Sequence, residues 1–296
     1  MIKRLTIMSA LLAIICSCNR EQITALPGSE GNAVLTVEGI DVASTKALHT
    51  DATLTGSFGA MLAEPGKSTY DGLAYENVRF TSSGSGNAVA WTPERSILLS
   101  TTSGTLYSYY PYSADVTDMN SIAVQATSSV QTDYMYGTPV SGLNNRNASA
   151  VITMNHALAA VNIAVVKGTY TGAGAVTKVS VKGAAIATSA DLDATKGTLS
   201  DFAGQNTEIA PAASFTISGT AQNNNIIVIP TGESKAITIT VTIDGTAFTA
   251  TTSAADLPEG TITKYTVTAN SESLDVTKVN VTPWADANGE NLNLNV

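Results

Sequence analysis

The sequence predicts an all-β protein, and three features of the 296-residue chain carry that expectation. Charged residues make up only 13% of it, and the Glu, Lys, Arg and Leu that line the solvent faces of long helices are scarce beside Ser, Thr, Ala, Gly and Val. Ile237-Thr-Ile-Thr-Val-Thr-Ile243 and Thr246–Thr252 alternate cleanly around Asp244-Gly245, the preferred two-residue type I′ turn. Other apolar stretches recur between turns at roughly the spacing of a β-sandwich. A hydrophobic content of 44% suffices for a core. The length suits two ordinary domains or one large β domain.

The first twenty residues, MIKRLTIMSALLAIICSCNR, have a basic head at Lys3 and Arg4 and an uncharged apolar run from Leu5 to Ile15. That run is too short to span a bilayer and suits the core of a secretory signal. It ends at Ile15-Cys16-Ser17-Cys18, which resembles the lipobox of bacterial lipoproteins, whose cysteine takes a diacylglycerol and becomes the new N-terminus. Cys18 follows the small Ser17 and fits better than Cys16, which follows the branched Ile15. An ordinary cleaved signal with incidental cysteines is the alternative. No cysteine follows position 18, so an anchor is expected rather than a disulfide. Residues 1–17 are therefore read as a lipoprotein signal peptide and 18–32 as a polar tether, with the lipid as the expected anchor.

Ala33–Ile40 is the first strand candidate, and its register is ambiguous, because Leu35 and Val37 share one face while Val34 and Ile40 share the other. Asp41–Asp51 reads as an exposed connection carrying Lys46. Thr53–Ala63 and Leu73–Thr81 follow as strands, and Trp91-Thr-Pro93 marks a strand end because proline cannot donate to a ladder. Leu106–Tyr112 and Ser128–Pro139 are rich in tyrosine, either as a sugar-stacking platform or as a core ladder split between two faces. The polar loop Ser141–Ser149 is the expected boundary, dividing 33–146 from 147–296. Beyond it, Val151–Val166 and Val176–Val181 read as a hairpin turned by Thr169–Gly174. A turn at Asp191–Gly197, a buried strand at Asn225–Pro230 and the Asp-Gly hairpin follow. Lys264–Thr268, Val279–Trp284 and the tail Glu290–Val296 complete the chain.

Chemistry is sparse. His49 lies in the exposed connection, and His156 opens an apolar strand, where a side chain satisfied within the core is expected. HExxH, CxxC, GxSxG and P-loop patterns do not occur. Gly172-Ala-Gly174 lacks the third glycine and following helix of a dinucleotide site. Asp191, Asp193 and Thr195 begin with the spacing of a calcium loop but lack its later Gly and Glu, so turn chemistry is expected. Without Lys3 and Arg4 the chain carries 13 basic against 24 acidic residues, which argues against nucleic acid and against charge docking on anionic lipid. No enzyme activity, cofactor or metal is expected.

The lipobox, Tyr109-Tyr-Pro-Tyr112, Tyr134-Met-Tyr-Gly137 and Met154-Asn-His-Ala-Leu158 occur in the order found in a known family. Leu257-Pro-Glu-Gly260, Tyr265-Thr-Val-Thr268 and Val279-Asn-Val-Thr-Pro-Trp284 continue the series. Together they resemble the fimbrillins, the type V pilins of Bacteroidetes. The resemblance implies two tandem transthyretin-like β-sandwich domains, 33–146 and 147–296, in a fimbrial subunit that supports cell adhesion at the outer membrane surface. It further implies a lipoprotein precursor, an Arg/Lys-specific protease that removes the first strand (33–46), and a donor strand from another pilin subunit that fills the groove.

Three basic residues enter as cut sites. Arg20 is too close to Cys18 to free a strand, and Lys67 would remove a second strand as well. Lys46, before Ala47, fits the family pattern, although it departs from the commoner arginine; an ordinary loop lysine is the alternative. In the tail, Leu292, Leu294 and Val296 share one face and Asn291, Asn293 and Asn295 the other. This segment is either a donor strand or the last strand of its own sheet, the latter suiting a tip or accessory subunit. The rival reading is a surface glycan-binding lipoprotein that stacks Trp91, Trp284 and the tyrosine clusters on sugar rings. Exposed coplanar aromatics would favour it, and buried ones the pilin.

Overall fold

The computed structural model describes residues 31–43, 54–84, 89–254, 256–271 and 273–284. They form an all-β structure. The N-terminal half holds β1 (Ala33–Val34), β2 (Thr36–Val42), β3 (Ser57–Ala63), β4 (Tyr75–Ser83), β5 (Ala90–Pro93), β6 (Leu98–Leu99), β7 (Gly104–Tyr110), β8 (Ile122–Gln125), β9 (Met135–Gly137), β10 (Val140–Leu143) and β11 (Ser149–His156). The C-terminal half holds β12 (Ala159–Lys167), β13 (Ala175–Gly183), β14 (Ile186–Ala187), β15 (Ser189–Asp193), β16 (Thr198–Ala203), β17 (Ala212–Thr216), β18 (Gln222–Pro230), β19 (Ile237–Ile243), β20 (Thr246–Thr251), β21 (Thr261–Ala269) and β22 (Leu274–Pro283).

In the first half the strands pair in the order β10-β7-β3-β4-β5-β2-β11-β9, and a further pairing of β9 with β7 closes the sheet on itself. Its interior holds Phe58 stacked on Phe80 at 4.8 Å, with Trp91 edge-on to Phe58 at 5.1 Å. Leu35, Ile97, Leu99, Leu106, Ile152 and Met154 pack around them. β7 splits its aromatics between faces as period two requires. Tyr110 enters this core, whereas Tyr109 points to the core shared with the second half.

The second half is a sandwich of two sheets, β14-β18-β12-β21-β22 and β17-β13-β19-β20. Val161, Ile163 and Val165 of β12 meet Val179 and Val181 of β13 and Ile239 and Val241 of β19 between them. The Asp-Gly hairpin forms as expected, with Ile243 opposite Thr246 and positive φ at both Asp244 (50°) and Gly245 (80°).

Two sequence expectations are corrected. The hairpin joining Val151–Val166 to Val176–Val181 does not form, because β12 pairs with β18 and β21 while β13 pairs with β17 and β19. The chain crosses from one sheet to the other over 168–174, and Asp244 holds that crossing: its Oδ2 accepts from Gly174 N (2.8 Å) and the Tyr170 hydroxyl (2.9 Å), its Oδ1 from Ala175 N (2.8 Å). The changeover between halves also falls later than the loop 141–149. β11 pairs with β2 and β9, and its Ala150, Ile152 and Met154 fill the first core. One apolar run thus serves two sheets, breaking at Ala157-Leu158, which lie fully buried in the shared core.

The halves interlock. An arm over 113–134 leaves the first half at Tyr109, whose hydroxyl donates to Asn77 Oδ1 at 2.7 Å and accepts from Ser113 N at 3.1 Å; burial pushes this phenol up to about 12. Within the arm, β8 adds to β15 in a three-stranded sheet, β16-β15-β8. Gln131 then uses its amide as a short strand, accepting from Ile227 N at 2.7 Å and donating to Ile227 O at 3.3 Å. It satisfies the edge of β18 beyond the reach of β14. Gly197 lies so close to Tyr136 that a Cβ would come 2.1 Å from its ring.

Two predictions follow from these contacts. Gln131→Ala leaves buried backbone groups of Ile227 unpaired and is expected to cost about 1–3 kcal/mol, read as a lower urea midpoint. The Gly174 amide foremost, then those of Ala175 and the Tyr170 hydroxyl, hold the Asp244 carboxyl below the ordinary aspartate range. A depressed pKa contributes stability above the unfolded value, lost as pH falls through the folded one. Thermal melts of the wild type should therefore weaken below about pH 4, and those of Asp244→Asn should start lower and depend less on pH there.

Candidate strand-exchange groove

The segment 33–43 lies between two banks. On one side β1 pairs antiparallel with β6, Ala33 opposite Leu99 and Val34 opposite Leu98, and Leu35 N donates to Ile97 O at 2.9 Å. On the other, β2 runs parallel to β11 from Thr36–Ser149 to Val42–Met154. Thr36 N donates to Ala148 O at 2.8 Å, and Ala43 N to Met154 O at 2.7 Å, closing the ladder at both ends. Against β5, β2 has a single registered pair, Val37 with Trp91.

The ambiguous register of this strand has a physical resolution. Val37 faces Ala150, but the next pair is Gly39 with Val151, so Glu38 is an extra residue in the ladder. With Glu38 set aside, Leu35, Val37, Ile40 and Val42 alternate onto one face. Leu35 and Val37 are buried, while Ile40 and Val42 pack half-buried against the same core. Removing this strand would uncover that core along Trp91, Ile97, Leu99, Ile152 and Met154 and leave the β11 ladder unpaired.

The other end of β11 meets the last described residues. His156 Nδ1 lies 3.0 Å from Asp133 Oδ1, and its ring stacks on Trp284 at 4.8 Å and 16°. Trp284 N donates to Gly260 O at 2.9 Å. His156 is thus satisfied within the core, as the sequence indicated. Asp193 caps its own turn, accepting from Thr195 N and the Thr195 hydroxyl, while Asp191 accepts from the Ser121 hydroxyl. These carboxylates are occupied by turn and inter-strand bonds, and among the described residues no group of acidic, His or Cys side chains has the arrangement of a metal site. Cys18, Lys46, Ala47, His49, Leu292, Leu294 and Val296 lie outside the described residues.

The aromatics face inward. Trp91 and Trp284 are each 7% exposed, and Tyr70, Tyr75, Tyr109, Tyr110 and Tyr265 are buried. The remaining tyrosines and phenylalanines are half-buried or better. Among the described residues no coplanar platform stands open for a sugar ring. Sequence reasoning missed the arm: Ile122-Ala-Val124 of β8 is a short apolar run and Gln131 is polar, and their role exists only against β15 and β18.

A family model described as fimbrillin-like matches residues 45–284. Among solved structures, a candidate cell-adhesion protein of Bacteroides ovatus superposes with a TM-score of 0.69 at 16% identity, over 86% of this chain and 98% of that one. A candidate cell-adhesion protein of Bacteroides uniformis gives 0.64 at 21%, over 86% and 99%. A fimbrial protein of Bacteroides vulgatus gives 0.55 at 15%, over 85% and 99%. The curated proteins offer no match. Proteins of this kind are structural and non-catalytic, in keeping with the sequence. Spanning most of the strands just described, the match establishes that the chain belongs to the fimbrillin-like family.

Proposed function

We propose that the chain is a structural subunit of a surface fimbria, exported as a lipoprotein through Cys18 and assembled by strand exchange with other pilin subunits at the outer membrane. The observation that carries this reading is the position of β2: a strand at the start of the chain, closing a sheet between two banks that are both distant in sequence. An Arg/Lys-specific protease cutting between Lys46 and Ala47 would free it, and the family match begins at residue 45, just short of that bond.

The physics of exchange is simple. A vacated groove exposes unpaired backbone and apolar side chains, and an incoming strand restores both. Each buried Leu or Val contributes roughly 1.5–3 kcal/mol, so a strand with several such anchors makes a durable joint. Donor and acceptor are different surfaces, so the contact propagates as a filament. The tail with Leu292, Leu294 and Val296 is the donor in this reading. Two domains remain part of the proposal, and in place of the division into 33–146 and 147–296 the first runs through β11 and the second begins with β12. The glycan-binding alternative finds no support in the inward-facing aromatics.

Intact mass and N-terminal sequencing of protein recovered from cells test the processing. A start at Ala47 is expected, and Lys46→Gln should retain the strand and stop multimer formation; a lipid-modified Cys18 on assembled protein would overturn the reading. A second prediction separates precursor from filament. Leu35→Ala should destabilise the uncut chain by about 2–5 kcal/mol yet leave assembled fibres as resistant to denaturant as wild type. Ile152→Ala, on the retained bank, should weaken both.

A further inference from the structure

A sheet that ends on a free strand offers outward N–H and C=O groups to any strand that meets it, and folds blunt such edges with charge, proline, bulges or short length. Among the described residues, most edges carry one of these devices. β22 contains Asp275 and Lys278 and shifts register against β21. β17 follows Pro211 and shifts register against β13. β16 holds Asp201 at positive φ (52°), β10 holds Gly142 at positive φ (80°), and both ladders are shifted. β8 has four residues, and on β18 Gln131 and β14 leave only 222–225 free. β20 is different. It ends the sheet β17-β13-β19-β20 and keeps one register against β19 from Thr246 to Thr251. No charged residue or proline occurs from Gly245 to Ala255.

The hairpin sets which groups are free. A two-residue turn makes Ile243 and Thr246 a hydrogen-bonded pair, and bonded pairs alternate along an antiparallel ladder. Thr246, Phe248 and Ala250 therefore bond to β19, while Ala247, Thr249 and Thr251 point their backbone groups outward. The side chains of those three are exposed, and with Thr238, Thr240 and Thr242 of β19 they make an uncharged face in which Thr240 Oγ1 lies 3.2 Å from Thr249 Oγ1.

We propose that β20 is a lateral docking edge for the β20 of a second copy, the two strands running antiparallel with Thr249 on the two-fold axis. The strand is complementary to itself in that register. Ala247 meets Thr251 of the second copy on the outer face, and Phe248 meets its Ala250 on the inner face, so each side chain keeps its side of the sheet. Phe248 and Ala250 are half-buried against the second core, and the pairing covers more of both. Charge favours this edge over the rest of the molecule. With 13 basic against 24 acidic residues outside Lys3 and Arg4, two copies repel one another, and 245–255 brings no carboxylate to the contact. Three residues per copy supply the new backbone bonds, far less than a standard interface holds, so the joint between single molecules is weak. It closes at two copies and is separate from the β2 groove. Rows of subunits repeat it, so on the strand-exchange reading above it holds neighbouring fibres side by side.

The test uses residues 18–296 with Cys18→Ser, which keep every described strand, so that neither signal segment, lipid nor disulfide links copies. Sedimentation over a concentration series should show a weak monomer–dimer equilibrium, and amide exchange at Ala247, Thr249 and Thr251 should slow as the dimer forms. Thr249→Pro keeps the ladder to β19, which takes no hydrogen bond from this residue, but removes the outward N–H of each copy. Thr249→Lys sets two ammonium groups together at the axis and should leave the melting temperature unchanged. Each should weaken association about tenfold or more. Thr240→Lys, beside Thr249 on the face but off the edge, should leave association unchanged. A monomer at every concentration, association that Thr249→Lys leaves intact, open-ended polymers in place of a dimer, or equal losses from Thr240→Lys and Thr249→Lys would overturn the proposal. The uncut chain presents this edge whether or not it exchanges strands, so its failure is distinguishable from a failure of fibre assembly.

Discussion

The parallel pairing of β2 with β11 is the contact on which the first half depends. It joins the β5 side of the sheet to the β11 side directly, opposite the closure through β7 and β9, and it seals the core around Phe58, Phe80 and Trp91. Parallel partners must be distant in sequence or joined by a long crossover, and here the two strands lie more than a hundred residues apart. A sheet closed in this way folds with its first strand in place, yet the strand is attached to the rest only by non-covalent contacts and one connection.

The second consequence of β11 is mechanical. Its inward residues line the groove, while its last residue, His156, stacks on Trp284 at the end of β22 and faces Asp133 in the arm. Ala157 and Leu158 then carry the chain through the buried shared core into β12. With β8 on β15 and Gln131 on β18, the halves meet through backbone hydrogen bonds as well as apolar packing. β11 is therefore joined to the second half through ordered strand structure rather than a bare linker.

The aromatic residues serve this packing. A surface lectin would leave ring faces open to solvent, whereas here the two tryptophans seal the β2 groove and the His156 contact. The polar groups that look like chemistry in the sequence are likewise committed: Asp244 to the crossing, Asp193 to its turn, His156 to the junction.

Local pattern by itself determined the all-β class, the Asp244-Gly245 hairpin, the strand ends at Pro93 and Pro230, and the inward fate of His156. Each depends on residues near one another in sequence: period-two alternation, a turn that needs positive φ, or a proline without an N–H. The motif order also carried the family. Tertiary structure alone decided which strands are neighbours. Val151–Val166 is one apolar run by pattern, but sheet pairing divides it between two cores, and no local signal distinguishes a strand that returns from one that crosses. The register of residues 33–43 was undecidable for the same reason, since the bulge at Glu38 is visible only against the partner strand that rejects it. Gln131 has no pattern at all, and its role comes entirely from the unpaired edge it meets.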